Sequence, residues 1–124
     1  SLLNKVFAAL AALSIAMVPL PANAHAQLVL SNPKVSATLY KSPTSITLTF
    51  DDDLIVLEGS NIIQVIDPKS KQIQLGKSVA QGATLQVKLK NSTLLGRYKV
   101  LWRALSSDGH PVSGTYYYYL AKRK

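Results

Sequence analysis

The chain of 124 residues has no cysteine, one methionine (Met17), one tryptophan (Trp102) and two histidines, His25 and His110. Without cysteine it forms no disulfide and offers no thiolate to a metal or a substrate, so a domain of this size must rest on its hydrophobic core. Acidic residues are also scarce, six Asp and Glu against 14 Lys and Arg, for a net charge of +8. The cations are spread as single lysines apart from a short "AKRK" cluster at 121–124, and no RNA- or DNA-binding motif accompanies them, so they read as a solvated face and tail. After residue 24 there is no internal repeat, no low-complexity segment and no linker. A hydrolytic triad would need a Ser elbow that the sequence lacks.

What is present begins with a leader. Lys5 precedes an apolar run at 6–18, followed by Pro19, Pro21 and the small-residue stretch Ala22-Asn23-Ala24. This pattern predicts a secretory signal peptide over residues 1–24, cleaved after Ala24. The alternative, a retained membrane anchor, is disfavoured because the run is short for a bilayer and ends in an Ala-x-Ala pattern instead of a stop-transfer flank. Cleavage makes His25 the first residue, with both an imidazole and a free α-amine. It leaves one domain, 25–124, whose charge falls from +8 to +7 with the loss of Lys5.

The rest of the chain repeats one theme, a short β-rich run followed by turn residues, which predicts an all-β sandwich or barrel. The expected strands are 27–30, 45–50, 61–66, 71–75, 83–89, 97–105 and 112–120. "SITLTF" at 45–50 alternates cleanly, with Ile46, Leu48 and Phe50 on one face and Thr47 and Thr49 on the other. Asp67-Pro68-Lys69-Ser70 is a turn, since proline presets the turn dihedral and aspartate caps it. Trp102 falls on the same face as Tyr98, Val100 and Ala104 and is expected in the core. The "YYYY" at 116–119 sends two rings to each face, as half-buried strand tyrosines.

Seven strands, each antiparallel to the one before, impose a parity rule. The start of the first strand, the connection between the second and third, and the connection between the sixth and seventh all lie at one end of the sandwich. Those places hold His25, the acidic run Asp51-Asp52-Asp53, and Asp108-Gly109-His110. An N-terminal histidine can chelate through its amine and Nδ1; His110 adds a third nitrogen and Asp108 an oxygen. Three nitrogens and one oxygen suit tetragonal copper(II). Gly109 lets the chain bend between the two donors, and Pro111 keeps His110 out of the helical region. Asp52 could ligate weakly or hydrogen-bond a ligand imidazole. Taken singly, the DGHP segment could be a polar surface turn and the aspartates a solvated loop.

The stretches "HAQLVLSNP" (25–33) and "GRYKVLWRALSSDGHPVSGTYYY" (96–118) resemble the periplasmic copper-resistance proteins of the CopC type. The second is similar to the pattern G-x-Y-x-V-x-W-R-x-x-S-x-D-x-H-P-x-x-G, and "SITLTFDDDL" (45–54) looks like that family's strand entering an acidic turn. The resemblance implies a seven-stranded immunoglobulin-like Greek-key sandwich or barrel, a periplasmic location, and a copper(II) site made by His25 through amine and imidazole, Asp108 and His110. It puts the accessory acid at Asp52, with Asp51 or Asp53 as alternatives. Some members hold copper(I) in a methionine-rich loop, but Met17 falls in the expected leader, so one copper(II) site and no copper(I) site is expected. Other members are fused to a membrane permease of the CopD type, which makes such an inner-membrane permease a candidate partner. The expected protein is a monomeric soluble carrier, not an enzyme, with no nucleic-acid partner and no stable membrane insertion after cleavage. Two rival readings are a copper monooxygenase with a histidine brace and a metal-free immunoglobulin-like interaction module.

Overall fold

A computed structural model describes residues 25–124; the expected leader, 1–24, lies outside the described residues. Eight strands run in chain order: β1 (Leu28–Asn32), β2 (Thr38–Leu39), β3 (Ser45–Phe50), β4 (Ile62–Ile66), β5 (Gln74–Gln81), β6 (Thr84–Leu89), β7 (Gly96–Leu105) and β8 (Pro111–Leu120). They form two four-stranded sheets, ordered β1-β3-β6-β5 and β2-β8-β7-β4, in an immunoglobulin-like sandwich. Period-2 alternation builds the core between them. Ile46, Leu48 and Phe50 on β3 are buried, as are Leu85 and Val87 on β6 and Val100 on β7. Among the described residues no helix is long and apolar enough to cross a membrane.

Two departures from the sequence reading have simple physical origins. The two-residue β2 was not expected: it pairs in parallel with β8 at Tyr119 and Leu120, and so short a segment carries no periodicity to detect. The strand expected at 71–75 lies instead at Gln74–Gln81. Lys71 belongs to the turn, where its carbonyl accepts the Asp67 N–H at 2.8 Å. The later half of β5 was hidden because its pairing to β6 shifts register between Leu75 and Val79, which breaks alternation.

The β4 and β5 edges do not pair as a regular ladder. The Ile63 N–H donates to Ser78 Oγ at 2.8 Å and the Val65 N–H to Gln74 Oε1 at 3.0 Å, so side chains of one sheet satisfy the open edge of the other. In the middle of the second sheet the ten-pair β7–β8 ladder runs from Gly96 opposite Leu120 to Leu105 opposite Pro111. Trp102 is partly buried and packs against the core, as expected; its indole covers Gly114, where any Cβ would lie 2.6 Å from the ring.

The parity rule holds for the long strands. β3 is antiparallel to β1 and to β6, and β7 is antiparallel to β4 and to β8. The start of β1, the end of β3, the end of β7 and the start of β8 therefore meet at one end. A bridge between Leu54 and Ser106 and a hydrogen bond from the Ile55 N–H to the Leu105 carbonyl at 2.9 Å tie the two sheets together there. β2 departs from strict alternation, but it sits at the other end and leaves the rule intact where it matters.

The tyrosines of β8 divide by face. Tyr116 and Tyr118 are buried and Tyr119 is exposed. Tyr118 stacks on Tyr98 with ring centroids 4.9 Å apart and planes at 8°. The Tyr98 hydroxyl donates to the Leu94 carbonyl at 2.7 Å, whereas the Tyr118 hydroxyl has no partner among the described residues. A desolvated, unpartnered hydroxyl costs about 1–3 kcal/mol. Tyr118→Phe is accordingly expected to hold or raise the unfolding free energy, and Tyr98→Phe to lower it by about 1 kcal/mol. Urea denaturation of both variants checks this, and an equal loss in the two would contradict it.

Candidate metal centre

The β7–β8 connection is a tight turn. The Gly109 N–H donates to the Ser106 carbonyl at 2.9 Å, and the Ser106 N–H donates to the His110 carbonyl at 3.0 Å. Closing it requires φ of +87° at Gly109, a conformation glycine adopts without Cβ strain. The turn leaves Asp108 and His110 on one side. The Asp108 Oδ1 accepts the His110 N–H at 3.0 Å, and the His110 Nδ1 lies 3.3 Å from Asp108 Oδ2.

His25 reaches the same carboxylate from the other sheet. Its Nδ1 is 2.6 Å from Asp108 Oδ2, and its ring meets that of His110 edge to face with centroids 5.1 Å apart. One oxygen thus stands between both histidines of the chain. His25, Asp108 and His110 form a group whose ligand atoms lie within 4.8 Å of one another. Four-coordinate nitrogen and oxygen ligation at about 2 Å puts opposite donors about 4 Å apart, so small side-chain rotations would close this group on an ion. The donor set of imidazole and carboxylate, without sulfur, suits a borderline divalent transition metal better than a soft monovalent one.

The Asp108 carboxyl is held down at about 2, chiefly by the His110 N–H that it accepts, with smaller help from Ser106, the His110 ring and His25 working against partial desolvation. It is therefore a carboxylate throughout the ordinary pH range.

Backbone clamps put His25 in place. The Ala26 N–H donates to the Ser106 Oγ at 2.8 Å, with both residues buried. The next residue is held on the other side: the Gln27 N–H donates to Asp51 Oδ1 at 2.7 Å, and the Asp51 N–H returns a bond to the Gln27 carbonyl at 2.9 Å. Asp52 lies outside the three-residue group. Its Oδ2 accepts the Ser107 hydroxyl at 2.7 Å and its Oδ1 the Asp53 N–H at 2.8 Å, which together lower its pKa. Asp52 thus braces the turn that carries Asp108 and, in this structure, touches neither histidine through a hydrogen bond. Sequence reasoning assigned no role to Ser106 or Ser107, and it offered Asp51 only as an alternative accessory acid, whereas the Asp51 side chain holds the Gln27 backbone. Ser106 was visible as the serine of the "SSDGHP" stretch, but nothing in the sequence says that its hydroxyl faces Ala26.

A profile of the CopC domain matches residues 28–121. The chain belongs to the CopC family. This match includes Asp108 and His110 and begins three residues after His25. Among relatives, the CopC-family chain is 31% identical over 100 residues to copper resistance protein C of Pseudomonas syringae pv. tomato, covering 76% of this chain and 79% of that one. It is 32% identical over 111 residues to protein YobA of Escherichia coli K12, covering 87% and 88%. Copper transport protein CutJ of Bacillus subtilis is 30% identical over 105 residues, but this chain, matched over 82% of its own length, spans only 19% of that much longer protein. The CopC of Methylosinus trichosporium OB3b superposes with a TM-score of 0.70 at 25% identity, covering 81% of this chain and 97% of that one. For PcoC of Escherichia coli, a methionine-rich copper resistance protein, the TM-score is 0.65 at 27% identity, covering 79% and 100%.

Ser106→Ala tests the clamp. It leaves every candidate ligand in place but strands the buried Ala26 N–H, and is expected to cost about 1–3 kcal/mol of stability. It should also weaken metal binding, because His25 is no longer held over Asp108. Calorimetric titration alongside urea unfolding measures both, and unchanged metal affinity would show that the clamp does not position His25.

Proposed function

We propose that this CopC-family chain binds one copper(II) ion as cargo, in the periplasm, for sequestration, resistance or transfer, and catalyses no reaction. The observation that carries this reading is the placement of Asp108 Oδ2 within reach of both His25 and His110. The names of the relatives, copper resistance protein C and copper transport protein CutJ, point to the same metal. In the proposed site His25 supplies Nδ1 and, once cleavage after Ala24 frees it, the α-amine; Asp108 supplies a carboxylate oxygen and His110 an imidazole nitrogen. Asp52 serves as the brace behind Asp108 through Ser107. Residues 1–24 are the leader whose removal completes the site.

Carriage fits the exposure of the donors. The His25 and His110 side chains are 47% and 70% exposed, which leaves the ion open to exchange with a recipient. An inner-membrane permease of the CopD type is the proposed recipient. The monooxygenase reading is disfavoured because the Asp108 oxygen occupies the space between the imidazoles that oxygen chemistry would need open. A separate copper(I) site is disfavoured because soft copper(I) prefers sulfur and Met17 is the only methionine, whereas PcoC is described as methionine-rich.

Titration of the protein beginning at His25 with copper(II), followed by electron paramagnetic resonance, should give a one-to-one tetragonal, nitrogen-rich signal. Full stoichiometric binding in His110→Ala, or in a form with residues preceding His25, would overturn the ligand assignment. Ascorbate-driven oxidation of chitin or cellulose would instead establish the monooxygenase.

The pH dependence has a defined sign. Copper competes with protons for the nitrogen donors but hardly at all for Asp108, which is already ionised. Binding should weaken as pH falls below about 6. Affinity unchanged at about pH 4 would exclude nitrogen ligation of this kind.

A further inference from the structure

The fold sorts the charges that the sequence intermingles. The candidate metal centre lies at the end where β1 and β8 begin and β3 and β7 finish, and Asp51, Asp52, Asp53 and Asp108 are all there. At the opposite end β6 finishes with Lys88 and is followed by Lys90, β7 opens with Arg97 and Lys99, and residues 122–124 follow β8 as Lys-Arg-Lys. The connections after β1, β2 and β4 add four lysines to that end. Of the described cations only Lys77 and Arg103 lie elsewhere, and Lys77 is paired with Glu58. The one acid at the basic end, Asp67, is engaged by its own turn, where its Oδ1 accepts the N–H groups of Lys69 and Lys71, both at 2.8 Å.

The basic end also exposes apolar and aromatic groups. Val35, Tyr40, Leu95 and Tyr119 are 59%, 52%, 56% and 37% exposed. Guanidinium groups lie over two of its rings, Arg97 over Tyr117 at 4.5 Å and Arg123 over Tyr40 at 4.8 Å. Cations that attract phosphate, interleaved with tyrosines whose rings are apolar and whose hydroxyls are wet, form the composition of a surface that rests at a lipid headgroup layer. A polyanion without an apolar layer would leave Val35, Leu95 and Tyr119 with nothing to cover them.

We propose that this basic end docks peripherally on an anionic phospholipid bilayer. The ten residues of β7, at about 3.3 Å each, separate the two ends by roughly 30 Å. The docked protein therefore presents the histidine end to solution, beyond the roughly 8 Å screening length of the membrane charge. In that orientation the protein collects metal from solution, and handover to a membrane-embedded recipient requires it to turn or to meet a domain projecting from the membrane. The proposal stands on charge and topology and does not depend on which metal, if any, the histidines bind.

Co-sedimentation of the protein recovered after export from its full-length gene, with vesicles of equal parts phosphatidylglycerol and phosphatidylcholine, tests this. Binding is expected at low salt, absent from pure phosphatidylcholine and released by high salt. Two variants with the same net charge locate the surface: Lys88→Glu with Lys122→Glu should reduce partitioning about tenfold, and Lys77→Glu with Arg103→Glu far less. Copper titration should be alike in both, which separates this result from failure of the metal reading. Equal losses in the two variants, no binding at low salt, or binding that survives high salt would each overturn the proposal. Equal retention on immobilised polyglutamate at the same salt would assign the surface to an acidic protein partner and likewise overturn it.

Discussion

The buried hydrogen bond from the Ala26 N–H to the Ser106 hydroxyl joins the segment before β1 in one sheet to the β7–β8 turn of the other. It spans 80 residues of sequence and closes the sandwich at the end where the donors meet. A chain without disulfides has only packing and such bonds to hold two loops in register. Because the bond is shielded from water, displacing it exposes a donor that finds no substitute, and the cost fixes where residue 25 lies. The paired bonds between Gln27 and Asp51 then leave the start of the chain little freedom on its other side. The position of the His25 imidazole follows from these backbone contacts as much as from its own close contact with Asp108.

Asp108 occupies a comparable place among the side chains. Its Oδ1 is committed to the His110 backbone and its Oδ2 to two imidazoles, so a single carboxylate organises the turn and gathers the nitrogen donors. The same contacts keep it ionised, which supplies negative charge where a divalent cation would need it. The neighbouring aspartates divide the remaining work. Asp51 holds the entry to β1, and Asp52 holds Ser107, one residue before Asp108. Two members of the acidic run, Asp51 and Asp52, are thus distinct braces in the fold.

Much of the architecture was readable because the relevant physics is local. Alternation in "SITLTF" marks β3 so strongly that its buried residues Ile46, Leu48 and Phe50 could be named in advance. The parity of antiparallel strands then predicted that His25, the acidic run and the DGHP turn share an end. The reading failed at β2, which is too short for a period, and at β5, where a register shift in the pairing to β6 erased one. It also failed for Ser106 and Ser107, since a serine in a polar turn carries no signal of the partner its hydroxyl will meet.

Composition, periodicity and the spacing of a few donors determined the class of fold, the absence of thiolate chemistry and the candidate residues His25, Asp108 and His110. These are properties of short windows, and side-chain direction along a strand follows from sequence position alone. Only the tertiary structure decided that one Asp108 oxygen stands between both imidazoles, that Asp52 braces Ser107, and that the scattered lysines collect at the end far from the histidines. Each of those depends on distances between strands far apart in the chain, and such distances are set by sheet order and packing.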